Sequence, residues 1–211
     1  MDKTLMIAKW FCENNVTVKT NSYDGNVLLN KLCYYSKAMF LALGNDIMHK
    51  DVEAWKNGPV LPFVYGKYRY DDLLNLDCDI DLSDDEVKVL KIINRVYGYF
   101  NAKDISKQTH EEEPWKALSD KVLKQLNPKI TDNAILDEYK DEMLELYDFY
   151  KDEELDEKLE IINGRYFFIS SDTVLTEDEY NELVNMKFDD DNVTYYVSRD
   201  SEGNLMVYWC F

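Results

Sequence analysis

The chain has 211 residues, 45% hydrophobic and 31% charged, with 42 Asp and Glu against 24 Lys and Arg for a formal charge of −18. That length supports one domain with a substantial core, or one domain with a small appendage. No apolar run approaches the roughly 20 residues that cross a bilayer, and Met1-Asp-Lys-Thr opens without the basic-then-apolar pattern of a leader, so a soluble, cytoplasmic protein with no membrane partner is expected.

The charge is unevenly spread along the chain. Residues 1–136 hold 20 acidic against 18 basic side chains, whereas residues 137–211 hold 22 against 6. An excess of this sign accelerates encounter with a basic protein and repels nucleic-acid backbone, so direct backbone binding by the acidic third is not expected. Cys12, Cys33, Cys78 and Cys210 show no C-x-x-C spacing, and His49 and His110 are too few for a zinc ligand set. No disulfide, metal or cofactor is expected.

Taken in order, Thr4 to Asn14 is a first helix candidate, and Asn21-Ser-Tyr-Asp-Gly25 reads as a loop. Leu28, Leu32, Tyr35, Met39 and Leu43 recur at helical spacing, flanked by Leu29, Cys33, Ser36 and Phe40. They predict a central helix from Val27 to Leu43, stopped at Gly44-Asn45. Ser83-Asp-Asp-Glu86 is a capping box opening a helix that runs to about Asn101, and Asn133 to Tyr150 is a further helix with Ile135, Tyr139 and Met143 on one side. Four to six helices around one core are expected.

The character changes near residue 150. Asn163-Gly164 between apolar pairs is a two-residue hairpin signal, Thr176-Glu-Asp-Glu179 is a second capping box, and two alternating runs flank the Ser201-Glu-Gly-Asn turn. The fold class expected is α+β: a mainly helical domain over residues 1–150, then a small acidic ββαββ unit over residues 151–211.

Between the helices lies Glu53-Ala-Trp-Lys-Asn-Gly-Pro-Val-Leu-Pro-Phe-Val-Tyr, which sets large rings around a Gly58-Pro59 break. Gly admits backbone angles closed to other residues and Pro fixes its own φ, so the segment is a rigid corner, read either as core packing or as a binding surface. A second segment, Thr109-His-Glu-Glu-Glu-Pro-Trp115, is the one place where an imidazole lies beside carboxylates and an aromatic ring. It is read as a helix cap with a packed Trp115 and a His110 bonded to backbone. A weaker reading makes His110 and Glu53 the groups of an enzyme. Neither a phosphate loop nor a nucleophile elbow occurs, and Asp77, Asp79 and Asp81 lack the Gly and Glu that a calcium loop requires, so an enzyme is not expected.

Three segments together, Leu29-Asn-Lys-Leu-Cys-Tyr-Tyr-Ser-Lys-Ala, the Val52 to Tyr65 corner, and Ser106 to Lys116, resemble the Panacea antitoxin domain, the SocA-like or phage-associated GepA-like family. The resemblance spans residues 1–145. It implies a helical scaffold that neutralises a cognate toxin by direct contact, in one branch as an adaptor that delivers the toxin to a protease. The family-motif positions are Tyr34, Tyr35, Glu53, Trp55, Gly58, Pro59, Val60, His110, Pro114 and Trp115. The tail falls outside the resemblance; there Tyr195, Tyr196, Tyr208, Trp209 and Phe211, with Asp189, Asp190 and Asp191, are the candidates for contact with a basic toxin. A different class of function is a phage counter-defence protein whose acidic part mimics nucleic acid on a host enzyme.

Overall fold

The computed structural model describes residues 2–70, 73–77, 79–187 and 194–209, with the Trp209 side chain outside that set. The fold is α+β, and the chain divides into two compact units, Met1–Glu154 and Leu155–Phe211. Among the described residues no helix is long and apolar enough to cross a membrane.

In the first unit, α1 (Lys3–Asn14) starts where the Asp2 carboxylate accepts from the Thr4 amide. The central helix α2 (Tyr23–Ala42) begins four residues earlier than its apolar spacing predicts. The Ser22 hydroxyl accepts from the Gly25 amide and so converts the end of the expected loop into a first helical turn. Gly44 at φ +74° ends the run, as expected. Helix α2 is buried on nearly every side, which explains why Lys31, Lys37, Asn26 and Asn30 share the interior with Leu28, Leu32 and Phe40. Cys12 and Cys33 lie in the same core, and burial pushes the Cys12 thiol up to about 12, so it behaves as a small hydrophobe.

The rigid corner is a hairpin. Strand β1 (Val52–Trp55) pairs with β2 (Gly58–Val60) across the Lys56-Asn57 turn, and β3 (Lys129–Ile130) pairs with the other edge of β1. Proline then opens α3 (Pro62–Tyr70), where its missing N–H costs nothing. The predicted capping box at Ser83 and Glu86 starts α4 (Asp84–Tyr97), which stops at Tyr97, short of the expected Asn101. The stretch after it forms three short helices, α5 (Ala102–Glu111), α6 (Glu113–Lys116) and α7 (Ser119–Leu123), before α8 (Asp132–Tyr150) packs along α2. Pro114 and the extended backbone at Glu112 make the break between α5 and α6. The helix count among the described residues therefore exceeds the four to six expected, because the extra helices are too short to carry a periodic signal.

In the second unit, β4 (Lys158–Ile162) and β5 (Arg165–Ile169) form the hairpin, with both turn residues at positive φ, Asn163 at +49° and Gly164 at +79°. Helix α9 (Glu177–Asn185) opens on the Thr176–Glu179 capping box and connects β5 to β6 (Tyr195–Arg199), which runs parallel to β5, and β7 (Leu205–Trp209) closes the sheet in the order β4-β5-β6-β7. Ile162, Phe167, Ile169, Leu183, Tyr195 and Val197 form its core. The Arg199 guanidinium donates to both carboxylate oxygens of Glu179, at 2.8 and 2.9 Å, and to the carbonyls of Val174 and Gly203, so one fork joins sheet, helix and turn.

The acidity is not confined to the second unit. Residues 137–154, within the α8 region of the first unit, carry 9 acidic and 2 basic side chains, and residues 155–211 carry 13 and 4, so each unit holds a net −9. The expectation of a nearly neutral scaffold with a charged appendage is corrected on this point.

Arg199 and the Thr176 backbone hold the Glu179 carboxyl down to about 2, below its ordinary 4.5. Its stabilisation is present above 4.5 and is lost as pH falls toward 2. Glu179→Gln is expected to lower the melting temperature at pH 7 while converging with the wild type near pH 2; parallel melting curves over that range would argue against the fork.

Candidate functional site

The two signature segments meet on one face of α2. Lys31 is fully buried and donates to the Pro59 carbonyl at 2.7 Å, while the Asn30 amide oxygen accepts from the Leu61 amide at 3.0 Å. One turn of α2 thus holds the backbone at Pro59 and at Leu61, and Pro59, which has no N–H to offer, uses its carbonyl for the lysine. Gly58 sits at φ +96°, and a Cβ there would lie 2.4 Å from Thr109 Oγ1 and 2.5 Å from Lys31 Nζ. Glycine is required both by the backbone angle and by this close approach.

From the second segment, Trp115 Nε1 donates to the Trp55 carbonyl at 2.8 Å, and the His110 ring stacks on Trp115 with centroids 3.9 Å apart and planes 24° apart. Trp55 turns its own indole N–H to Glu53 at 2.8 Å and packs against Tyr65 at 5.1 Å. Pro114 and Val60 are buried beside them. Burial first, and Lys31 second, hold the His110 imidazole below its usual value. Burial likewise drops the Lys31 ammonium to about 7, with the Glu112 carboxylate opposing it.

Glu112, at the joint between α5 and α6, faces the rings of the central helix. It accepts from the hydroxyls of Tyr35, at 2.8 Å, and Tyr139. Tyr34 and Tyr35 each pack edge-on to Tyr139, and Tyr35 stacks on Tyr97 at 4.1 Å. Burial raises the Glu112 carboxyl above its ordinary range in spite of those hydrogen bonds. Of the two motif tyrosines, Tyr35 is therefore an anchor point for a half-buried acid at the α5–α6 joint, and Tyr34 packs on the second anchor, Tyr139.

All ten motif positions lie on this assembly. No hydrogen bond joins His110 to Glu53 among the described residues, because Glu53 is engaged by Trp55 and His110 by Trp115. Lys31, Asn30, Glu112 and Tyr97 also belong to it and were not singled out by sequence, and neither were the roles here of Thr109, expected as a cap, and Tyr139, expected on the apolar side of its helix. Polar side chains interrupting an otherwise apolar helix at Asn30 and Lys31 are the signal that could have found those two. No group of His, Cys, Asp or Glu able to hold a metal occurs among the described residues.

Of the candidates in the second unit, Tyr195 is a core residue, 3% exposed and packed on Phe167, which corrects its assignment to a partner-facing surface. Tyr196 stacks between Phe168 and Tyr208, and Tyr208 is 45% exposed at the end of that row. Asp189, Asp190, Asp191, Phe211 and the Trp209 ring lie outside the described residues.

The class this arrangement defines is a helical cradle that grips a small hairpin through a buried lysine. Residues 29–116, which include both signature segments, match the family model of the antitoxin SocA-like Panacea domain, so a Panacea domain is present in the chain. No curated protein and no solved structure matches.

Gly58→Ala is expected to destabilise the fold by more than the roughly 1 kcal/mol that separates Gly from Ala at an unstrained site, measured by urea unfolding; a neutral substitution would refute the close approach. For Lys31, the unfolded chain keeps its proton up to the ordinary 10.5, whereas the folded chain releases it above about 7. The unfolded state binds more protons between those values, so stability rises with pH there and is lost as pH falls through 7. Relative to Lys31→Met, the wild type is expected to gain about 1 kcal/mol per pH unit between pH 7.5 and 9. Equal slopes for the two proteins would place the amine in water.

Proposed function

We propose that this chain is an antitoxin that neutralises a cognate toxin by direct protein–protein contact and performs no catalysis itself. The match of residues 29–116 to the antitoxin SocA-like Panacea domain carries this reading. The engagement of the motif side chains supports it, since His110, Glu53, Tyr34 and Tyr35 each take part in joints of the scaffold. On this reading the protein works in the cytoplasm as a Panacea-type domain over residues 1–150, followed by an acidic ββαββ unit over residues 151–211.

The toxin surface is basic. Both units present the complementary charge, and α8 offers exposed Asp137, Asp141 and Glu145 on the first of them. Tyr196 and Tyr208 supply rings on the second, together with Asp189, Asp190 and Asp191. Electrostatic matching of this kind governs encounter rate, while buried rings carry most of the affinity.

Co-expression with the gene beside it is expected to rescue growth from that gene's toxicity, and the two products should co-purify. A neighbour that is harmless alone, or a toxin that stays active beside this chain, would refute the reading, as would competition with nucleic acid for a host enzyme. Reversing Asp137, Asp141 and Glu145 to Lys should slow association several-fold and flatten its dependence on salt; unchanged kinetics would move the interface off α8.

A further inference from the structure

Two cavities beside the corner share Tyr23, Val27 and Asn57 as walls, so they form one cleft divided by the hydrogen bond from the Asn57 amide to the Tyr23 hydroxyl. The inner part, about 110 Å³, is walled by rings and amides: Trp55 and Tyr65 with Asn26 and Asn30, and Lys31 behind them. Tyr23, 60% exposed, stands at its mouth. The outer part, about 380 Å³, is walled by α5 through Lys103, Ser106, Lys107 and His110, with Asp24 as its lining carboxylate. These four α5 positions follow the i, i+3, i+4, i+7 spacing that places them on one face of a helix.

The charge here runs against the rest of the molecule. Lys103 and Lys107, with Lys56 on the β1–β2 turn, are exposed, and their side-chain amines have neither ion pair nor hydrogen bond among the described residues, in a chain with 42 acidic side chains. Other lysines of the first unit do find carboxylates: Lys3 pairs with Glu86, Lys37 with Asp132, Lys50 with Asp2 and Lys129 with Asp51. A cleft that keeps its cations unpaired next to exposed ring faces suits an anion attached to a flat ring system. Its outer part alone falls within the range of about 300–1,000 Å³ typical of small-molecule sites.

We propose that this cleft binds a small phosphorylated aromatic compound of the nucleotide class, its ring system entering against Trp55 and Tyr23 and its phosphate meeting Lys103 and Lys107. The rings accept any flat base by stacking, and the Asn57 amide offers a donor and an acceptor to its edge. A long nucleic acid is disfavoured, because outside the cleft the same unit is net negative and repels a strand that leaves it. Nothing in this proposal depends on toxin neutralisation, and the purified full chain alone tests it.

The experiment titrates the full chain with ATP by calorimetry and by tryptophan fluorescence, against adenosine, inorganic phosphate, a polyglutamate peptide and a short single-stranded oligonucleotide. Saturable ATP binding, tighter than adenosine or phosphate alone, is expected. It should weaken at least tenfold in Lys103→Glu/Lys107→Glu and several-fold in Tyr23→Ala. Lys103→Gln/Lys107→Gln, with an unchanged melting temperature, provides the milder variant should charge reversal disturb folding. The proposal is overturned if ATP does not saturate, if phosphate, polyglutamate or the oligonucleotide binds as well as ATP, or if the folded lysine variants bind ATP like the wild type.

Discussion

A single buried amine organises the first unit. Lys31 reaches from the central helix to the Pro59 carbonyl, lies against Gly58 and Thr109, and feels Glu112 and His110, so each signature segment is positioned by the same group. Burying an ammonium is costly unless its donors are met and its charge is balanced. Here a backbone carbonyl meets it and Glu112 balances it, and burial moves both groups toward their neutral forms. The hairpin, the α5–α6 break and the tyrosine cluster follow from that arrangement, because each supplies a surface that excludes water from the amine.

This constraint explains why the signature pairs small and aromatic residues. Gly58 lets the backbone come within reach of Lys31 and Thr109, and Trp55, Trp115 and His110 pack around the approach. Pro59 has no N–H to donate and gives its carbonyl to the lysine. Tyr35 and Tyr139 do for Glu112 what Pro59 does for Lys31.

Much of the fold was legible in the chain because local chemistry determines it. The Ser83 and Thr176 boxes, the Asn163-Gly164 turn and the apolar spacing of α2 and α8 each involve residues within a few positions of one another. The small sheet was not legible: β3 is two residues long and pairs with β1 across more than seventy positions. Nor were the partners of Lys31 and Glu112, since a lone lysine or glutamate reads as surface until the fold shows what surrounds it. Tyr195 failed for a related reason, as alternation identifies a strand's two faces without saying which one α9 covers. The break in charge at residue 137 likewise misled, because it falls inside a helix and not at the division between units.

The bond from the Trp115 indole to the Trp55 carbonyl closes a segment of sixty residues on itself. A loop clamped at its ends loses little more chain entropy as it lengthens, so insertions between α3 and α4 leave the clamp where it is. Such a domain can diversify its periphery while preserving its joint, and relatives should differ in length there far more than within the hairpin.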